Sequence, residues 1–497
     1  MALTVILFST QTVRNLVAGG IALSLLSCAG EGLSIDGMPQ PISANLPSLT
    51  DEGTSVCAPN EAVTTQGGRG YSANVNLTAS VALPTSQNQS QNQNEPERKG
   101  VDVVMTRYGA IAAVNQANSS TLYWVNPASG EVVQTVIVPG VVSDMAYDGE
   151  GRIAIATQST TDAERNKITL LDARSGADIT EITLPNVSRV ALSPDGYIAA
   201  IAGKTVHLYD NNNQEIFSKF RDYTAVTDLE VLSCGDQQLV YVTTFRNTSF
   251  VDLQGKRNPV QIARLEALDF TGTVQWSLFD DSADTIKQNV ADTRLYRVTM
   301  GRDGYLYIAG ESAGTATIFR WRGQPMTEEE QIGRAQPFIV RIDEYSQLHN
   351  SGAAHLPYYA RVHPTAGQLV TAQMSFPRRS NTKANAMRLG DIAVGANGSL
   401  YFGGAASASI ANRENLTING EPVGGYAGRD RAWMAIAPDF RTRNFWTVLA
   451  EKGGKGIVQG VDVGYGYSAA LSNVESGTVP VTAGEQAGSV FLSFTVE

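Results

Sequence analysis

The sequence predicts an all-β chain of about seven repeated four-stranded units, and three observations carry that prediction. A strand, an Asp-Gly or Asn-Gly turn and a second strand recur along the chain, most clearly in VSRVALSPDGYIAAI from Val187. Related segments are VSDMAYDGEGRIAIA from Val142, YRVTMGRDGYLYIAG from Tyr296 and GDIAVGANGSLYFGG from Gly390, with looser copies from Val226 and Val458. Further hairpins lie between them, such as TLYWVNPASGEVVQTVIV from Thr121 and ITLLDARSGADITEITL from Ile168. Beyond residue 100 no long window has the 3.6-residue apolar period of an amphipathic helix; the best competitor, Thr327 to Arg334, is short and polar.

The turn chemistry explains the first hairpin of each unit, because Gly and Asn accept the positive φ that a tight hairpin demands. Adding the second hairpin makes a four-stranded unit that recurs at roughly 35 to 60 residues, the signature of a β-propeller blade. Units begin near residues 102, 143, 188, 226, 293, 389 and 457. Six or eight blades also fit this grammar. Insertions are expected around 278–291, 322–337, 349–388 and 410–431, and in propellers such insertions map to the loops where binding surfaces are found.

LSPDGYIAAIAGKTVHLYD and WVNPASGEVVQTVIVPG resemble the WD, YVTN and quinoprotein-like propeller repeats of exported bacterial proteins. The later stretch, GDIAVGANGSLYFGG followed by AWMAIAPDFRTRNFWTVL, is similar to bacterial β-propeller repeats of cell-surface proteins. The resemblance covers the chain from about residue 100 onward and implies architecture rather than function, since one fold hosts enzymes, scaffolds and lectins. Quinoprotein dehydrogenases would add a tryptophan docking motif in each blade. The five tryptophans, at 124, 276, 321, 433 and 446, form none, so no cofactor is expected.

Ahead of the repeats the chain reads as a targeting segment and a tether. Leu16 to Leu26 is an apolar run preceded by Arg14 and ended by Ser27-Cys28, too short to span a bilayer comfortably. Leu25-Leu26-Ser27-Cys28 resembles a bacterial lipobox, which implies a signal peptide over residues 1–27 and lipidation of Cys28. An ordinary cleaved signal or an uncleaved anchor would export the chain equally. Residues 28–100 read as a polar, low-complexity tether, with one alternating, strand-like stretch at 73–81 that could complete the last blade. The propeller then occupies 101–497. Ala29 after Cys28 is the residue type that, in the lipoprotein family, directs a chain to the outer membrane or cell surface.

Once Cys28 is set aside, Cys57 and Cys234 remain as an even pair in a compartment that permits disulfides. A bridge would staple the tether to the propeller; two unrelated thiols are the alternative. The net charge of −11 argues against nucleic acid as a partner, because neutralising its phosphates needs a basic surface.

Catalytic signatures are sparse. No Gly-x-Ser-x-Gly elbow occurs, and Gly464-Tyr465-Gly466-Tyr467-Ser468-Ala469 is a blade turn rather than a dinucleotide loop, because strands flank it on both sides. His349, His355 and His363 cluster in sequence but match no ligand spacing, so they are weak metal candidates and a polar loop is the simpler reading. The run from Pro377 to Arg388 is basic within an acidic protein, and its Arg378, Arg379, Lys383 and Arg388 form a candidate ligand-contact loop. Tyr358, Tyr359 and Trp433 would give it an apolar floor, or would be core.

The function expected is that of a non-catalytic cell-envelope binding or scaffold lipoprotein, exported and held to the membrane by lipid. Its propeller-face loops would dock an envelope protein or a polysaccharide. The alternative is a propeller hydrolase or lyase acting on a lactone or sugar, which would bring acids, histidines or asparagines from several blades to one mouth of the central channel.

Overall fold

The computed structural model describes residues 57–65, 67–68, 70–83, 99–159, 166–251, 254–279, 291–313, 319, 354–380, 383–426, 428–450, 454–477, 479 and 489–497. Cys28, His349, Trp321, the 327–334 segment and most of the tether lie outside them. Among the described residues there is no α-helix and there are seven four-stranded antiparallel sheets.

Two short strands come first, β1 (Asn74–Val75) and β2 (Leu77–Ala82). Blade 1 is β3 (Lys99–Thr106), β4 (Gly109–Asn115), β5 (Ser119–Val125) and β6 (Val132–Pro139). Blade 2 is β7 (Val141–Tyr147), β8 (Arg152–Gln158), β9 (Lys167–Asp172) and β10 (Asp178–Thr183). Blade 3 is β11 (Val187–Leu192), β12 (Ile198–Ala202), β13 (Thr205–Tyr209) and β14 (Glu215–Phe220). Blade 4 is β15 (Ala225–Cys234), β16 (Gln237–Val251), β17 (Arg257–Asp269) and β18 (Val274–Leu278). Blade 5 is β19 (Thr293–Met300), β20 (Leu306–Ala313), β21 (His355–His363) and β22 (Gln368–Met374). Blade 6 starts with β23 (Met387–Val394) and β24 (Leu400–Ala406), then a small hairpin, β25 (Thr417–Ile418) and β26 (Glu421–Pro422). It ends with β27 (Asp430–Ile436) and β28 (Arg443–Val448). Blade 7 is β29 (Lys455–Gly464), β30 (Tyr467–Ser476) and β31 (Val490–Val496), with β2 paired to β31 as its outermost strand.

The first strands of the blades touch in cyclic order, β3, β7, β11, β15, β19, β23, β29 and back to β3. That order is a closed ring, and the blade starts lie within a few residues of those the repeats marked. Second strands are buried on both faces and read accordingly: Ala110, Ile111, Ala112 and Ala113 in β4, and Ile198 to Ile201 in β12, are all fully buried. Small alanines let neighbouring blades close on them, and separate apolar clusters fill the gaps between blades 7 and 1, 1 and 2, 2 and 3, and 3 and 4.

The span 349–388, expected as an insertion, contains β21 and β22 and so is largely the outer half of blade 5. The strand was hidden because Pro357 interrupts it and β21 is buried along its middle, leaving no polar and apolar alternation to read.

The stretch from Cys57 to Ser72, read as tether, instead lies along blades 4, 5 and 6. The structure joins Cys57 to Cys234 in the turn after β15, with Cα atoms 5.5 Å apart, a separation suited to a disulfide. Asn60 N donates to Asp303 O, and Ser72 N donates to Asn444 O beside β28. Gly304 and Gly398 make room for this strap, since a Cβ on either would stand 2.4 Å from Ala58 O or 2.5 Å from Val63 Cγ1. Anchoring by backbone bonds and one covalent bond needs little apolar composition, which is why the stretch read as coil.

The Cys57–Cys234 link closes a separation of 177 residues, so its loss should weaken the fold by about 2–5 kcal/mol. The double variant Cys57→Ser/Cys234→Ser should unfold at correspondingly lower urea, and adding a dithiol reductant should bring wild type down to the same midpoint.

Candidate functional site

An axial channel of about 830 Å³ is lined by the first strands of all seven blades. Each of these strands carries a β-bulge at the same register, and a bulge re-aims the side chain beside it. The residues that follow the bulges are Asp102, Asp144, Arg189, Asp228, Arg297, Asp391 and, in blade 7, Gly460. Two positions further on, Glu230 in blade 4 and Asp462 in blade 7 add two more acids to the wall.

The carboxylates reach from one blade to the next. Asp102 Oδ2 accepts from Met145 N at 3.0 Å, Asp144 Oδ2 from Val190 N at 2.8 Å and Asp228 Oδ2 from Val298 N at 2.9 Å. Asp391 Oδ2 accepts from Val461 N at 3.4 Å, and Asp462 Oδ2 closes the circle by accepting from Met105 N at 2.5 Å. Glu230 Oε2 makes a second link from blade 4 to blade 5, accepting from Met300 N at 3.2 Å. The arginines serve the remaining joints: Arg189 donates to Asp144 at 2.9 Å and to Thr227 O at 3.1 Å, and Arg297 donates to Asp391 at 2.9 Å.

Burial dominates the electrostatics of this wall. It pushes the Asp228, Glu230 and Asp462 carboxyls up to about 7, against the opposing pull of the backbone donors and, at Asp228, of Arg189 and Arg297. Asp102 is raised well above the usual carboxylate range by burial and then by the nearby Asp144 and Asp391. Acids from several blades do converge here, as a channel enzyme would require, but each acid named has an oxygen bonded to a main-chain N–H of the adjoining blade. The arrangement joins blades. The sequence reading missed it, although a signal was present: Val142-Ser143-Asp144, Val187-Ser188-Arg189, Val226-Thr227-Asp228, Leu295-Tyr296-Arg297 and Leu389-Gly390-Asp391 repeat a charge at one register of an apolar strand.

The structure separates the histidines. His355 and His363 stand at opposite ends of β21, about 26 Å apart by strand rise, so they do not share an ion. His355 Nδ1 lies 3.3 Å from Glu311, and His363 Nδ1 accepts from Ala366 N at 3.2 Å. Among the described residues no group of three His, Cys, Asp or Glu could hold a metal.

Arg378, Arg379 and Lys383 lie between β22 and β23, where blade 5 passes to blade 6, and Arg388 lies at the start of β23. Arg378 is half-buried over Phe376, and its backbone bridges Ser409 and Ala384; Arg379, Lys383 and Arg388 are exposed. Tyr358, Tyr359 and Trp433 are fully buried core residues rather than a floor for this loop. Tyr358 stacks on Phe319 at 4.1 Å.

Strand alternation sorts the connections onto two faces. Turns between first and second strands, and between third and fourth, are short and share one end of the blades. Connections between second and third strands, and from blade to blade, share the other; residues 279–292, 314–354, 375–386, 407–429 and 477–489 all start and finish there.

The sheet topology defines the chain as a seven-bladed β-propeller. No family model matches it, and no curated protein matches it. Among solved structures it is similar to hydrazine synthase of Kuenenia stuttgartiensis, at 12% identity and a TM-score of 0.46 over 80% of this chain and 100% of that one. It is also similar to the Neurospora crassa Pan2 WD40 domain, at 10% identity and 0.42 over 87% and 97%. The Dos1 propeller follows at 8% identity and 0.40 over 81% and 94%. At these values the likenesses carry no argument about activity.

The raised carboxyls set a pH dependence. The folded chain keeps protons on Asp228, Glu230 and Asp462 up to about 7, whereas an unfolded carboxyl releases its proton near 4. Their contribution is therefore complete below about 4 and lost as pH rises through 7. A thermal unfolding series should show the midpoint falling between about pH 4 and 7 and levelling off above that, and replacing Glu230 with Gln should flatten that fall.

Proposed function

We propose that this protein is a non-catalytic binding or scaffold protein of the cell envelope, exported and held to a membrane by lipid on Cys28. Its partner, a protein or a polysaccharide, docks on the face from which the long connections emerge. The observation that carries this reading is the segregation of those connections to one face, together with the exposed Arg379, Lys383 and Arg388 where blade 5 passes to blade 6. A rigid ring presenting long loops on one side suits recognition. In a chain of net charge −11, a local cationic patch selects an anionic partner and steers its approach. The strap from Cys57 to Ser72 lies at the opposite, short-turn face, which leaves the long-loop face for docking.

Charge reversal tests the docking face. Immobilised Arg379→Glu/Lys383→Glu/Arg388→Glu protein should retain at least tenfold less of an envelope protein or polysaccharide from the source organism's extract than wild type does, with an unchanged unfolding midpoint. Equal retention would reject the assignment. The anchor is tested by intact mass in an exporting bacterial host: a chain beginning at Cys28 and carrying acyl groups is expected, lost in Cys28→Ala, and an unacylated soluble product would overturn it.

A further inference from the structure

Blade 4 contains an extension that no other blade shares among the described residues. Its second and third strands, β16 and β17, are 15 and 13 residues long, yet β15 pairs no farther than Ala225 with Phe245 and β18 no farther than Leu265 with Leu278. Beyond those points the two strands continue alone from Arg246 opposite Ile262 to Val251 opposite Arg257. The result is a two-stranded ribbon about 20 Å long, rising at the long-connection end.

The direction of its main-chain groups follows from its bonds. Thr224 N donates to Phe245 O at 3.0 Å, and Asn247 N donates to Thr224 Oγ1 at 2.6 Å, so residues 245 and 247 turn their peptide groups away from β17. The pairing has no register shift, so Ser249 and Val251 do the same. The opposite edge is closed: Gln261 N donates to Asp292 Oδ1, Ala263 N to Thr293 Oγ1, and Pro259 has no N–H to offer. Beyond Asn247, no strand among the described residues pairs with the edge of β16. One edge is blunted in the way natural sheets blunt edges, and the other is left as a template.

Charge and main chain together narrow the occupant. The ribbon's sequence is basic: Arg246, Lys256 and Arg257 outnumber one acid, Asp252, between residues 246 and 257. Arg257 donates to Ser249 Oγ at 2.6 Å, which sets its guanidinium beside the open edge, and Val251 is 46% exposed. A second copy of this acidic chain would be repelled as a whole. A polysaccharide has no row of N–H and C=O groups at strand spacing, whereas a peptide has.

We propose that the edge of β16 from Ser249 to Val251 takes an extended acidic peptide segment of a protein partner as an added strand. The proposal rests on the long-connection face being the docking face and narrows the partner there to protein.

The test is fluorescence anisotropy of the full chain with a labelled nine-residue peptide alternating glutamate and valine. Binding should weaken at least tenfold in Ser249→Pro, which removes one outward N–H at an edge position that tolerates proline. It should weaken equally in Lys256→Glu/Arg257→Glu, where the main chain is untouched, and when alternate peptide nitrogens of the probe are methylated. Absence of binding at about 1 mM probe, equal binding of the methylated probe, or equal affinity for polygalacturonate would overturn the proposal. An envelope partner still retained in that event would leave the docking face standing; loss of both would overturn both.

Discussion

The structure depends most on how one blade holds the next. A propeller's sheets are each complete as ladders, so nothing in their hydrogen bonding requires a ring. Here the requirement is met at the axis, where a bulge in every first strand turns a residue inward and an acid then accepts from the main chain of the adjoining blade. A buried acid is costly unless its oxygens are bonded, and an N–H facing a channel wall needs an acceptor. Each satisfies the other across a blade boundary. Arg189 and Arg297 fit the same logic, each pairing with an acid of a neighbouring blade in the channel wall.

Closure uses the chain's two ends. Blade 7 takes three strands from the C-terminal end and its fourth from β2, so Leu77 to Ala82 pair with a strand that follows them by some 400 residues. The strap upstream of β2 runs along blades 6, 5 and 4 to Cys234. Opening the ring thus means breaking the ladder at β2 and sliding a segment that is fixed at its other end.

These constraints leave the two faces unlike. The short-turn face is tied down by the strap and by two-residue turns such as Tyr465-Gly466, whose positive φ angles fit a tight hairpin. The opposite face carries every long connection, the cations from Arg378 to Arg388 and the blade 4 ribbon. Binding residues can vary there without disturbing the axis, because the interblade bonds lie within the channel.

Much of the fold was legible because strand and turn chemistry are local. Strand-turn-strand repeats, with Asp-Gly or Asn-Gly pairs in blades 2, 3, 5 and 6, announced the start of each blade to within a few residues. The candidate site was less legible. The basic loop could be seen as composition, but its histidine neighbours became the two ends of one strand, and its aromatic neighbours became core. The axial charges were present as a repeated register and passed for scattered polar residues, because their meaning is a contact between units.

The sequence by itself determined an all-β repeat of about seven four-stranded units, an acidic net charge and a strand-like stretch ahead of the repeats that could complete the last blade. Only the tertiary structure decided which residues meet: that Asp462 reaches Met105, that Cys57 reaches Cys234, and that one edge of β16 is open while the opposite edge of the ribbon is closed. The physical reason is range. Turns and strand faces are set by neighbours a few residues away, whereas the partner of a buried charge or an edge peptide group is chosen by ring closure, which brings residues hundreds of positions apart into contact.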